Sequence, residues 1–371
     1  MKKWIALLLT LALALSLCAC GTKTEEPAEE TTETAAEPAE AEEATVDRVG
    51  VLTMLNLSEE EMADYYHAVG LATVAVAEAG KTKDVAVAPP KEDIQSEVVF
   101  YDSLDAMLMG LNAGDIDVMS VYNSTADYLV ANNDQLVKGF SFLYDPDGPM
   151  DFTTGLLRGI LSNSFAFMMT EENEALRDEF NEAIASMEAD GTLDQLLNEQ
   201  MLAVVNGGEV KAVEMPVIDG AETIKVAVTG SLPPMDYVSA DGTPAGYNTA
   251  VLAEISNRIG KNIELVVVDS IGRAAALASG TVDVVFWTRS NDISNEFTDT
   301  GREAALERLD GEVSGLTDEQ KEVFSQIDQL FDIAAYGQND MPEGTIITVS
   351  YFRDSIVPVM TKAQAEALNA G

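Results

Sequence analysis

The chain has 371 residues, 47% of them hydrophobic, and a formal net charge of −43 from 64 Asp+Glu against 21 Lys+Arg. That length suits two or three domains of about 150 residues, each able to bury a core, and the apolar fraction excludes a wholly disordered chain. The acidity argues against a basic face for nucleic acid or anionic lipid, and two Cys with one His cannot build a Cys/His zinc site.

The elements begin with a leader. Lys2 and Lys3 precede an apolar run over residues 4–17, too short to span a bilayer comfortably. This is the pattern of a secretory signal, placed at residues 1–19. Leu17-Cys18-Ala19-Cys20-Gly21 follows and resembles a bacterial lipobox. Cys20 is the expected lipidation site, because small Ala19 precedes it. A cut before Cys18 would put bulky Leu17 at the cleavage point. Cys18 departs from the Ala or Ser usual at the middle position, and an ordinary cleaved signal is the alternative. Residues 20–46 then form the lipidated Cys and an acidic tether. Its stretch 22–45 carries nine Glu and one Lys among Ala, Thr and Pro. Such a composition cannot bury apolar surface, so disorder is expected.

The folded body starts near Asp47. Gly207-Gly208 and Met215-Pro216 break the periodicity. Two blocks result, 47–210 and 222–371, with 211–221 as linker. In the first block, strands are expected at 49–54, 98–101 and 116–121, and helices at about 59–78 and at 104–113. Leu176, Phe180 and Ile184 line a later helix ended by Gly191, and Thr192-x-x-Gln195 resembles a capping box. In the second block, residues 224–228, 264–268 and 282–287 read as strands. Val251, Ile255 and Ile259 mark an amphipathic helix stopped by Gly260, and 271–279 is a short helix stopped by Gly280. An acidic insertion occupies about 291–343.

The blocks repeat each other. Asp102-Ser103-Leu104, followed by Leu111-Asn112-Ala113-Gly114-Asp115-Ile116-Asp117, is echoed by Asp269-Ser270-Ile271, followed by Leu277-Ala278-Ser279-Gly280-Thr281-Val282-Asp283. Met169-Thr170 before Glu174-Ala175-Leu176 is echoed by Met360-Thr361 before Glu366-Ala367-Leu368. Strand–helix–strand order implies parallel sheets covered by helices, which bind ligands at the carboxyl ends of their strands.

Sequence motifs for catalysis are lacking. His67 has no partner motif, and neither Gly-x-Ser-x-Gly nor a phosphate-cradling Gly-x-x-x-x-Gly-Lys occurs. Asp145-Pro146-Asp147-Gly148 with Asp151 lacks the spacing of an EF-hand calcium loop. No catalytic residue, metal ligand or cofactor is assigned.

The second block resembles the extracellular solute-binding proteins of amino-acid ABC transporters, the type 3 family. The resemblance rests on Ile224–Val228, Leu232-Pro233-Pro234-Met235-Asp236-Tyr237, Asp241-Gly242-Thr243-Pro244-Ala245-Gly246-Tyr247-Asn248 and Ala276–Val284. In the first block, Ala113–Asp117, Thr125–Leu129 and Met187–Leu193 are similar to another stretch of that family.

The resemblance implies an α/β fold of two periplasmic-binding-protein-like lobes, each a mainly parallel sheet flanked by helices. It implies a lipid-anchored protein on the extracytoplasmic face of the bacterial membrane. Such a protein would capture a small polar solute, an amino acid or similar, for an ABC transporter permease, without catalysis. A sensor or scaffold lobe pair signalling to a membrane partner is the alternative. Expected ligand contacts are Tyr237, Asn248, Trp287, Thr288 and Arg289, with Tyr101, Ser120, Tyr122 and Asn123 beside the equivalent strand ends. Tyr237 replaces the aromatic expected at Met235. Asn295 stands where the family has a carboxylate-clamping Arg, so Arg289 is the candidate for anion recognition, with an exposed surface pair as the other reading of it. Two units in series place the solute between the blocks.

Overall fold

A computed structural model describes residues 47–66, 96–138, 162–239, 242–290 and 341–370. The leader, the tether with Cys20, His67, the Asp145–Asp151 stretch and residues 291–340 of the insertion lie outside them.

The first block contributes β1 (Asp47–Leu52), β2 (Ser96–Tyr101), α1 (Leu104–Ala113), β3 (Val118–Tyr122), α2 (Asn123–Asn132), β4 (Leu136–Lys138), β5 (Ser162–Thr170), α3 (Glu174–Ala189) and α4 (Thr192–Leu197). The second contributes β6 (Thr223–Val228), β7 (Ser231–Leu232), β8 (Asp236–Val238), β9 (Pro244–Ala245), α5 (Tyr247–Ile259), β10 (Asn262–Val267), α6 (Gly272–Ala278), β11 (Val284–Ser290), β12 (Thr345–Ile347), β13 (Phe352–Thr361) and α7 (Lys362–Ala370). Residues 59–66 are helical, the described part of the helix expected from 59. The strands and helices whose limits were read from sequence fall in place, shifted by one to three residues at their ends, and α1 spans 104–113 as expected.

Local chemistry explains these limits. Ser103 caps α1 by accepting from the Ala106 amide at 3.2 Å. Gly260 closes α5 at φ 68°, a left-handed conformation that costs a glycine little. The capping box at Thr192 is corrected. The N-cap of α4 is Gly191, without a side-chain cap. The Thr192 hydroxyl instead donates to Asp190 at 2.6 Å and accepts from Arg258 at 3.0 Å.

The main sheet runs β10-β6-β11-β5-β13-β3-β1-β2, with β12 on β5 and β4 on β13. Its two ends are parallel: β2-β1-β3 from the first block and β10-β6-β11 from the second. This is the expected α/β fold with helix-flanked sheets. The central strands are antiparallel, and they correct the expectation of two units in series. β5, from the first block, pairs with β11 of the second. β13, from the second, pairs through Phe352–Ser355 with β5 and through Ile356–Val359 with β3 of the first.

The reason is burial. Phe165, Ala166, Phe167, Met168 and Met169 of β5 are all buried. A strand apolar on both faces needs cover on both sides, and chain order does not restrict which neighbours supply it. Phe167 stacks on Tyr351 at 4.5 Å and meets Phe180 of α3 edge-on at 5.5 Å. One apolar cluster therefore runs from Leu104 through Phe167 to Val284 and joins both blocks.

Candidate functional site

A cleft lies where the blocks meet, with about 730 Å³ of space between the atoms, open solvent included. The first block supplies Val51, Leu52, Thr53 and Met54 at the end of β1, Ser120, Val121 and Tyr122 at the end of β3, and Thr125, Phe165 and Tyr66. The second supplies Thr229 and Leu232 just after β6, Ser270, Arg273 of α6 and Ile356 of β13. The carboxyl ends of parallel strands β1, β3 and β6 thus converge on one space, as the parallel-sheet rule expects.

The polar wall is organised. Tyr66 and Ser120 share a hydroxyl–hydroxyl hydrogen bond at 2.6 Å. The Tyr122 ring meets Phe165 edge-on at 4.6 Å. The Thr125 side chain is 1% exposed, and its Oγ1 has no hydrogen-bond partner among the described residues. Such an orphan in a cleft wall invites an incoming polar group.

Arg273 is 7% exposed. Its Nε donates to the Ser270 carbonyl at 3.3 Å, and its Nη2 reaches across to the Thr53 carbonyl at 3.2 Å. The Thr53 hydroxyl donates to Asp102 at 3.0 Å, and the Ser270 amide donates to the Asp102 carbonyl at 3.4 Å. These contacts tie the first block to the second beside the cleft. Behind Thr229 lies Asp236, buried and accepting from the Thr229 hydroxyl at 2.9 Å and the Gly230 amide at 2.7 Å. Burial pushes its carboxyl up to about 7, against those hydrogen bonds and the Arg273 charge.

Of the expected contacts, the structure brings Ser120 and Tyr122 to the cleft wall. The other side chains that it describes are turned elsewhere, for packing reasons. Tyr101 covers Gly110 of α1 so closely that a Cβ there would sit 2.2 Å from its hydroxyl. Asn123 donates to Asp127 at 3.1 Å and accepts from Lys138 at 2.8 Å, within the Lys138–Asp127 ion pair. Asn248 is fully buried and accepts from the Tyr351 hydroxyl at 2.6 Å. Tyr237 packs 6.2 Å from Tyr128, with its phenol pushed up to about 12 by burial. Thr288 is fully buried in β11 opposite Ala166. Trp287 and Arg289 lie in β11, and Arg289 is in register with Phe165, while their side chains are outside the described part.

Sequence reasoning missed Arg273, Thr125, Tyr66 and Ser270. One signal was available, since Ser270 belongs to the repeated Asp-Ser unit and Arg273 follows it by one helical turn. Among the described residues, no cluster of His, Cys, Asp or Glu is arranged to hold a metal, and no helix is long and apolar enough to cross a membrane.

Residues 224–294 match the bacterial extracellular solute-binding proteins, family 3. No curated protein matches the chain. Among solved structures, it is similar to NikA from Staphylococcus aureus in complex with Ni(L-His)2, at 12% identity and TM-score 0.33. That alignment covers 74% of this chain and 58% of NikA, so the chain spans less than two thirds of that protein. An ancestral arginine-binding protein bound to arginine is 12% identical, with 87% and 88% of the two chains covered and a TM-score of 0.32. The GluR0 ligand-binding core from Nostoc punctiforme in complex with L-glutamate is 8% identical, with 87% and 91% covered and a TM-score of 0.29. The fold assignment rests on the strand pairing above, and the relationship on the 224–294 segment. Through that segment, the chain is similar to the bacterial extracellular solute-binding proteins, family 3.

Proposed function

We propose that the protein is a lipid-anchored extracytoplasmic solute-binding protein that captures a small polar solute for an ABC importer. The observation that supports this reading is the cleft lined from both blocks at the carboxyl ends of β1, β3 and β6. A solute held there touches both ends of the sheet at once. Binding would favour the closed arrangement, and a permease would read that arrangement. Cys20 would carry the lipid, and the acidic stretch 22–45 would hold the body away from the membrane surface.

A thermal-shift screen of small polar solutes tests the binding role. Ligand that binds only the folded chain raises the melting temperature by linkage, with about 2.7 kcal/mol of stabilisation at one hundred times Kd. Tyr122→Ala is expected to weaken any hit. A screen of amino acids, peptides, organic acids and sugars without a single hit counts against the reading. For the anchor, Cys20→Ser is expected to move the protein from the membrane fraction to the soluble one.

A further inference from the structure

The two blocks also meet at the far ends of the main sheet. Asp102 follows β2 and Ser270 follows β10, the outermost strands of the sheet order. Their loops nevertheless touch, the Ser270 amide donating to the Asp102 carbonyl at 3.4 Å. Arg273 makes a second crossing, from its Nη2 to the Thr53 carbonyl at 3.2 Å. Two contacts within the blocks complete a ring: the Thr53 hydroxyl donates to Asp102 at 3.0 Å, and Arg273 Nε to the Ser270 carbonyl at 3.3 Å. Thr53, Ser270 and Arg273 are buried and line the cleft, where water competes poorly for such bonds. Both copies of the repeated Asp-Ser unit take part, but unequally. Arg273 stands four residues after Asp269, and Ala106 stands four after Asp102. The middle of the strand order, β5 and β13, supplies Phe165 and Ile356 to the same cleft. A swing of the two sheet halves about β5 and β13 leaves those strands paired and moves the sheet ends most, so the ring is what such a swing breaks.

We propose that this ring is a latch: the protein's own groups hold the cleft shut at the sheet ends, and the ring opens for a solute to enter or leave. Arg273 is its positioning residue, a charged donor to one carbonyl of each block. A charged donor shared between the blocks resists their separation more than a neutral one would. The latch rests on the reading of the cleft as the solute site, and it governs the closure of that site.

The test measures the distance between the blocks with no solute added, by double electron–electron resonance on the full chain with Cys18 and Cys20 changed to Ser. Spin labels at Met109→Cys in α1 and Val267→Cys in β10 lie in opposite blocks, at residues 72% and 66% exposed. A second pair, Met109→Cys with Asp134→Cys, lies within the first block and reports whether that block keeps its shape. One short, narrow distance between the blocks is expected when Arg273 is present. Arg273→Met keeps the stem and removes every donor. It is expected to raise the ratio of long to short distances about tenfold or more, with the within-block distance fixed. If Arg273→Met does not fold, or shifts the within-block distance, Thr53→Val decides. That variant keeps the branched shape and releases Asp102, so a smaller shift in the same direction is expected. An unchanged distribution in the deciding variant overturns the proposal. So does a chain with Arg273 in place that is already spread over long distances. The solute-binding reading is judged separately. A solute from the thermal-shift screen that is weakened by Tyr122→Ala sustains that reading even where the latch fails. A screen without a hit counts against it even where Arg273→Met opens the blocks.

Discussion

Asp236 is the residue most out of keeping with its surroundings. It is a carboxyl buried within the fold, and its folded pKa of about 7 lies above the ordinary 3.8. The folded state therefore holds the proton more tightly than the unfolded chain does. The stability linked to that proton is fully present below about pH 4 and is lost as pH rises through about 7. Asp236→Asn, which cannot ionise, is expected to narrow or reverse its stability deficit against the wild type on going from about pH 4 to pH 8, by on the order of a few kcal/mol. Denaturant unfolding at several pH values reads this. A deficit that stays constant across the range would show that the carboxyl is not protonated in the fold. Gly246 is a second residue with a narrow requirement. It has φ 107°, and a Cβ there would lie 2.4 Å from the Met235 carbonyl oxygen. Gly246→Ala meets backbone in a disfavoured conformation, so a loss of about 2 kcal/mol or more is expected in the same measurement.

At the scale of elements, the internal repeat becomes a structural device used twice. The Asp117 carboxylate accepts from the Arg48 amide at 2.9 Å, and the Asp117 amide donates back to the Arg48 carbonyl at 2.9 Å. Asp283 does the same with Lys225, at 2.8 and 2.9 Å. Each Asp locks the entry of one parallel strand to its neighbour. Asp117 and Asp283 are therefore structural, and neither is among the residues that line the cleft. Asp117→Ala and Asp283→Ala are each expected to cost about 1–2 kcal/mol, with solute affinity retained. A variant that folds normally and loses affinity would move the site. The second repeated unit has a matching meaning. Met169-Thr170 ends β5 ahead of α3, and Met360-Thr361 ends β13 ahead of α7. The unit marks the two strands exchanged between blocks.

For the whole molecule, that exchange decides cooperativity. β5 is seated between β11 and β13, both encoded in the second block, so neither block has a complete sheet alone. A protease site placed in exposed residues 207–210, once cut, is expected to leave both fragments associated on native gel filtration. Independent lobes in series would separate. Phe167→Ala, in the shared core, is expected to cost about 3–5 kcal/mol and to lower a single unfolding transition, seen alike by circular dichroism and calorimetry.

The sequence by itself determined the parallel strands, several helices and the α/β class, while the central strands β5 and β13 were not read from it. Those elements depend on neighbours within a few positions: β-branched runs for β6 and β10, the Ser103 cap of α1, the glycine stop of α5. It also carried the resemblance, since the segment from Ile224 to Val284 that suggested it lies within the matched 224–294. It placed Ser120 and Tyr122 at the cleft, because strand ends can be read locally. Only the tertiary structure decided that Asn248 turns to Tyr351 and that β5 crosses into the second block's strands. It alone decided that Arg273 reaches Thr53 over a separation of 220 residues. Those outcomes rest on which buried faces and buried polar groups find cover, and periodicity along the chain carries no record of contacts so distant in sequence.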